Sequence, residues 1–387
     1  MVDLRRVAIY LGAFTGPLAG NAVLALVPAL KQAFDASGPE VLLSITFFMV
    51  PFAFIMLFTG TLSDIAGRKK LLVFGFILYA TGNFLCSTAN QLEFFYLART
   101  ISGVGFAFVQ PVVQAMLGDI VPENQRGRAM GIFGAATTLG IALGPLLAGF
   151  ISTVNWRLTF IIISLLALCI MLLTIYAYRA STEAKGRMRA KTLISALGEG
   201  LHNRKVVFLS IGGFLTFMCY ISTLSFISDQ LSLPPLSLAS EQIGTITSMA
   251  GVAGILAAPA GGLLVDKIGR LRAGAVGYAI MAVAFLLMTR ADSSLTYAAF
   301  LAILGSGIAI VWATLLTLSV EVMPEAKGTS TSIFNCLRFF GYAAAPVLFA
   351  PIYISLGLDY INITDLAITL LAFFCLYFVI LIGRRGG

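Results

Sequence analysis

Charge is what this sequence most lacks. Only 11% of its 387 residues are Asp, Glu, Lys or Arg, against roughly 25% in soluble domains. So few charged groups exclude an ordinary water-soluble globular protein. Histidine is nearly absent too. The sole one, His202, lies in a basic loop, so no cluster of imidazoles is available for metal binding. The five cysteines (Cys86, Cys169, Cys219, Cys336, Cys375) are odd in number, lie inside apolar runs and lack metal-ligand spacing. They read as small packing residues. No nucleophile-elbow, zinc-binding or phosphate-loop pattern occurs, which argues against an enzyme and against an ATP-driven pump within this chain. No cofactor and no metal is expected. Acids are scarce as well: all 17 can be placed in loops or at the ends of apolar runs, and none is expected at mid-membrane.

What is abundant is apolar surface. Hydrophobic residues make up 59% of the chain and the mean hydropathy is +0.97. A helix needs about 20 apolar residues to cross a bilayer. Twelve such runs are present, over 7–30, 40–62, 71–90, 94–118, 128–153, 158–178, 206–228, 241–264, 273–289, 295–320, 329–354 and 363–383. The first is full length and has no clean small-residue cleavage site, so it reads as a retained helix rather than a cleaved signal. The sequence pI near 9.3 reflects orientation, not nucleic-acid binding. With both termini inside, 20 of the 25 basic residues fall on the inner side, and only Lys31, Arg157 and Arg290 on the outer. This bias predicts a multi-pass protein of the cytoplasmic membrane with both termini cytoplasmic, its basic face towards anionic lipid.

The longest polar stretch, 179–205, divides the chain into an N-terminal six-span bundle over 1–178 and a C-terminal one over 206–387. A basic cytoplasmic linker is favoured there over an amphipathic surface helix around 193–201. The halves are copies. Asp119-Ile-Val-Pro122-Glu123 aligns with Glu321-Val-Met-Pro324-Glu325 at an offset of 202, as do Gly103 and Gly105 with Gly305 and Gly307. Gly127, Phe133 and Pro145 match Gly328, Phe334 and Pro346 one residue earlier in register. Six spans return the chain to its starting side, so the repeat is parallel. The fold class is therefore an all-α membrane protein of twelve transmembrane helices in two six-helix bundles. Transporter folds built this way bind substrate near the bilayer midplane.

The loop after span 2 reads Gly60-Thr-Leu-Ser-Asp64-Ile-Ala-Gly67-Arg68-Lys-Lys, and a weaker copy follows 202 residues later with Gly262, Asp266, Gly269 and Arg270. The paired loops resemble the signature of the major facilitator superfamily of secondary transporters. That resemblance covers about residues 5–383 and implies a cytoplasmic latch of Gly60, Asp64, Gly67, Arg68, Asp119, Glu123, Asp266, Gly269, Arg270 and Glu321. Asp64 is expected to accept bonds from a helix N-terminus, and Arg68 to pair with Asp119 or Glu123. Ile65 and Ala66 depart from the usual basic and aromatic residues.

Span 4 contains Arg99-Thr-Ile-Ser-Gly103-Val-Gly105-Phe106, which resembles the span-4 motif of the superfamily. Arg99, Gly103, Phe106 and Gln110 share one helical face, with Gln114 at its edge. That face should meet a cavity or a partner helix, and a structural Arg bound to carbonyls is the competing reading. In span 5, Gly140, Gly144, Pro145 and Gly149 look like the motif of the exporter (antiporter) branches, although close packing would also explain them. Span 11 carries Asn335, Arg338 and Tyr342 on one face, with Arg338 about ten residues deep and aligned to Thr137 in the other half. Loss of symmetry inside a repeat points to a site. In drug-exporter relatives an acid often stands seven residues before the span-1 proline; here Asn21 holds that place ahead of Pro28, and Asn cannot titrate.

The expected cavity residues are Asn21, Arg99, Phe106, Gln110, Gln114, Asn335, Arg338 and Tyr342, a net positive set. The resemblance implies a proton-coupled exporter, and the positive cavity favours a small anionic, zwitterionic or neutral amphiphile over a cationic drug; a monomer is expected. A small-anion importer or uniporter, and a translocator of anionic lipid-like amphiphiles, stand as alternatives. Partners are the substrate, the bilayer and protons as coupling ion, with no nucleic acid.

Overall fold

The computed structural model describes residues 3–122, 125–179 and 190–385. Its helices are α1 (Leu4–Phe34), α2 (Gly38–Ala66), α3 (Arg68–Thr88), α4 (Leu92–Ile120), α5 (Arg126–Ser152), α6 (Trp156–Ala177), α7 (Ala190–His202), α8 (Arg204–Ser232), α9 (Ser240–Ile268), α10 (Arg270–Met288), α11 (Ser294–Glu321), α12 (Lys327–Leu356) and α13 (Leu358–Arg385). Twelve of them, all except α7, are long and apolar enough to cross a bilayer. In hydrocarbon each backbone N–H and C=O must be satisfied within the protein, which is why the apolar runs become helices.

The helix ends follow local chemistry. Ser37 and Glu40 close a reciprocal capping box at the start of α2, and Asn155 and Asn203 cap α6 and α8. Side-chain oxygens there satisfy amides that lack partners in the first turn. The α2–α3 and α9–α10 turns pass through Gly67 and Gly269 at φ of +95° and +82°. Any side chain at these two positions would be strained, and this accounts for the repeated glycine.

The chain divides into two compact units. The first comprises Met1–Ala190 together with Ala239–Gly244, and the second Lys191–Leu238 with Thr245–Gly387. Within the first, α1 packs on α5 and α6, and α3 packs on α4 and α6. Within the second, α8 packs on α12 and α13, and α10 packs on α11 and α13. The same pairings recur, element for element. They recur at atomic level too: a Cβ on Gly103 would stand 2.1 Å from the carbonyl oxygen of Phe48, and one on Gly305 would stand 1.9 Å from that of Ala250. Phe48 and Ala250 are themselves 202 residues apart. Lipid supplies no hydrophobic drive for helix association, so backbones must come this close to gain dispersion contacts.

The structure corrects the sequence reading of the helices in two places. The segment read as a linker is helical over Ala190–His202. Leu197 packs against the cluster of Val206, Met323 and Ile333, and at Gly200 an added Cβ would touch Ile333 Cδ1 at 2.5 Å. That contact with α12 stabilises a short helix that would be marginal alone. Second, an acid lies inside a span. The last helix begins at Leu358, five residues before the apolar run, so Asp365 sits about 10 Å along it and is fully buried. Asp359, Asn362 and Thr364 lower the local hydropathy and hide the true start of the helix.

Candidate functional site

In the second unit, α12 carries Arg338 about 16 Å from its first residue. Three aromatic rings surround its guanidinium. Its Cζ lies 3.9 Å from the Phe339 centroid, 4.3 Å from Trp312 of α11 and 4.8 Å from Phe217 of α8. Trp312 stacks in turn on Phe334, and Phe217 meets Trp312 edge-on. The π faces attract the cation, each contributing about 0.5–2 kcal/mol according to desolvation. They cannot satisfy its N–H groups: Nε is buried without a hydrogen-bond partner. Among the described residues no carboxylate forms an ion pair with Arg338. Asn335 is half-buried one turn earlier, and Tyr342 is buried one turn later. The arrangement offers a caged cation and an amide, suited to an anionic or strongly polar head group with an apolar body.

In the first unit the expected stripe on α4 divides. Arg99 is fully buried. Its Nε donates to the Ser44 carbonyl at 3.3 Å and Nη1 to the Ala19 carbonyl at 3.2 Å, while Cζ lies 4.4 Å from the Phe48 ring. Phe106 packs against Gly16 and against the rings of Phe48, Phe52 and Tyr79. This face of α4 therefore meets partner helices α1 and α2, not open space, and Arg99 ties three helices through their carbonyls. Asn21 is also buried, and its amide donates to the Pro17 carbonyl one turn back at 2.8 Å. Gln110 is half-buried and Gln114 exposed. Gly140 and Gly144 press onto α1: a Cβ at either would lie 2.4–2.5 Å from the carbonyl oxygens of Phe14 and Leu18. Pro145 and Gly149 are buried farther along the same helix.

Among the described residues, each unit carries an arginine–carboxylate ion pair at the matching turn. Arg68 at the start of α3 reaches Asp64 Oδ1 at 3.4 Å and contacts Asp119 Oδ2 on α4. Asp64 thus meets Arg68 rather than the helix N-terminus expected for it. In the second unit Arg270 binds Glu321 of α11 through both oxygens, with Nε at 3.1 Å from Oε2. Asp266 stays exposed one turn before Arg270, and Gly60 is exposed on α2. Glu123 lies outside the described residues. Beside the first cluster, Arg5 Nε donates to the Ala177 carbonyl and Lys69 to that of Tyr178. The start of α1, the end of α6 and the α2–α3 turn therefore meet at one basic end of the unit.

Sequence reasoning missed Asp365. On α13 its Oδ2 accepts bonds from Ser222 Oγ at 2.5 Å and Thr223 Oγ1 at 2.7 Å, both on α8. Its Oδ1 is buried with no partner. Polar residues recurring at 362, 365 and 369, three or four apart on one face, were the available signal.

The sequence profile of the Major Facilitator Superfamily matches residues 9–346 and 210–385. Multidrug resistance protein 2 of Bacillus subtilis (strain 168) is 25% identical over 259 residues, covering 65% of this chain and 64% of its own length. Multidrug transporter protein MdtP of the same organism is 23% identical over 393 residues, covering 87% of this chain and 71% of its own. The chain thus spans just under two thirds of the first relative. A crystal structure of a bacterial homologue of the human lysosomal transporter Spinster, described as inward-facing and unoccupied, superposes with a TM-score of 0.78 at 15% identity. It covers 98% of this chain and 97% of that one, which establishes the likeness of fold.

Proposed function

The chain belongs to the Major Facilitator Superfamily, and we propose that it exports a small amphiphilic or anionic solute across the cytoplasmic membrane in exchange for protons, by alternating access. The observation that carries this reading is the Arg338 cage. An arginine with a buried, unpartnered Nε and no ion-pairing carboxylate among the described residues can be satisfied by an anionic head group. The rings of Phe217, Trp312 and Phe339 provide an apolar surround for the body of the same molecule. Charge selectivity follows, since a cationic drug would meet like charge at this point. Export is favoured by the α5 motif, and an amphiphilic solute by the names of the two Bacillus relatives, a multidrug resistance protein and a multidrug transporter. The basic ends of the units correspond to the cytoplasmic side under the positive-inside rule, with both termini there.

The test uses proteoliposomes and fluorescent amphiphiles of matched size carrying an anionic, a zwitterionic or a cationic head, with and without an imposed pH gradient. The anionic or zwitterionic probe should move in a gradient-dependent way, and Arg338→Ala should lose that transport while the protein stays monodisperse. Arg338→Lys keeps the charge but not the planar fork, so partial loss is expected. Preference for the cationic probe, or unchanged transport in Arg338→Ala, refutes the assignment.

A further inference from the structure

Resting on the proton-coupled reading above, we infer that Asp365 is the side chain that carries the coupling proton, at the buried polar contact between α8 and α13. Asn21, buried in α1 with its amide on the Pro17 carbonyl, does not titrate. The acids of the ion-pair clusters lie beside arginines. Asp365 differs on each count. It is fully buried, well inside a span, and forms no ion pair among the described residues.

The two carboxyl oxygens are unequal. Oδ2 is occupied by the hydroxyls of Ser222 and Thr223, whereas Oδ1 has no partner and is the atom free to hold a proton. The surroundings are polar without being charged. Asn362, one turn earlier on α13, is fully buried, and neither its amide nitrogen nor its oxygen has a partner. Such unsatisfied groups beside a carboxyl suit transient water, which can bridge polar atoms that have no direct contact. The titratable neighbours are uncharged in their ordinary forms. Cys219, one turn before Ser222, places its thiol against the Asp365 carboxyl, and the Ser222 hydroxyl also reaches the Cys219 carbonyl at 2.9 Å. On α10, Tyr278 shares a hydrogen bond with Thr216 at 2.8 Å, and Cys375 lies farther along α13. Asp229, about two turns beyond Ser222 on α8, is bound by Tyr353 of α12 at 3.0 Å. On α12, Arg338 is held by its own aromatic cage.

The arrangement is also confined to one half. Positions 201 and 202 residues before Asp365 are Ser164 and Ile163, and Ser164 is spent on the Ala80 carbonyl at 2.8 Å. A repeat that keeps its glycine contacts and ion pairs in register but introduces an acid in one copy has specialised that copy. A charged carboxylate without a cation is costly in a membrane interior, so the form it takes depends on water access. When this contact opens outward, hydronium gives its proton to Oδ1, forming the O–H bond and leaving water. When it opens inward, that bond breaks and the proton returns to water.

Purified protein in lipid nanodiscs tests this without a substrate. Infrared difference spectra between acidic and alkaline buffer should show a protonated-carboxyl band that disappears at alkaline pH. The band should be missing in Asp365→Asn and displaced in frequency in Ser222→Ala/Thr223→Val. In proteoliposomes, Asp365→Asn should exchange the anionic probe at equal pH yet lose its response to a pH gradient. A band that persists in Asp365→Asn, a wild-type band that does not titrate, or a band that responds to sodium at fixed pH overturns the inference. So does a retained gradient response in Asp365→Asn. Failure of the wild type to transport any probe would count against the export reading, and the infrared result would still decide the role of Asp365.

Discussion

Replacing Arg99 distinguishes a helix clamp from a cavity ligand, and the structure sets the magnitudes. Arg99→Met removes the bonds to the Ser44 and Ala19 carbonyls and the contact with Phe48. Two hydrogen bonds from a charged donor contribute about 3–6 kcal/mol together, and the ring contact about 0.5–2 kcal/mol. Against this stands the desolvation of a fully buried guanidinium, several kcal/mol, which Met does not incur. Both carbonyls belong to helix interiors and keep their own helical bonds. Arg99→Met should therefore be close to neutral, within about 2 kcal/mol. Arg99→Ala loses the same bonds and also leaves a void in a packed core, a truncation that costs about 2–5 kcal/mol. The two variants should differ by at least ~2 kcal/mol, or about 4–8 °C in melting midpoint for a body of this size. The assay is thermal unfolding of purified protein in detergent, with size exclusion before and after. A cavity ligand would behave in the opposite way, tolerating Ala without loss of stability and losing transport. An Arg99→Ala protein that melts with the wild type would refute the clamp.

The remaining predictions concern the basic ends and the orientation. The Arg68 cluster is partly solvated, with Asp119 at 55% side-chain exposure, so its pairing contributes about 0.2–1 kcal/mol. Asp64→Asn or Asp119→Asn should shift the balance of inward- and outward-facing states up to about fivefold without unfolding the protein. Spin-label distances between the basic ends of α2 and α11 read this out, and an unchanged distribution would dismiss the latch. A cysteine introduced at Lys31 should label only from outside the cell; labelling confined to the cytoplasmic side would invert the topology derived from charge bias.

Much of the architecture was legible because bilayer physics leaves few choices. Twelve apolar runs become twelve helices, since hydrocarbon offers the backbone no other partner. Register between halves could be read from single residues: Arg68 and Arg270, Asp119 and Glu321, Gly103 and Gly305 occupy matching positions because close backbone approach and turn geometry tolerate little substitution. What the sequence could not decide was which neighbour each buried polar group meets. Helical periodicity placed Arg99 and Phe106 on one face, but only packing against α1 and α2 made that face a clamp. Arg338 was identifiable by depth and asymmetry, yet its cage draws Phe217 and Trp312 from helices more than a hundred and about twenty-five residues away along the chain. Asp365 escaped because hydropathy places a helix start where polar residues end, whereas the fold begins α13 earlier and turns those residues towards the hydroxyls of α8. Periodicity and composition act locally and fix the helices; the energy of a buried charge or carboxyl depends on contacts from distant helices, so only the tertiary structure assigns it.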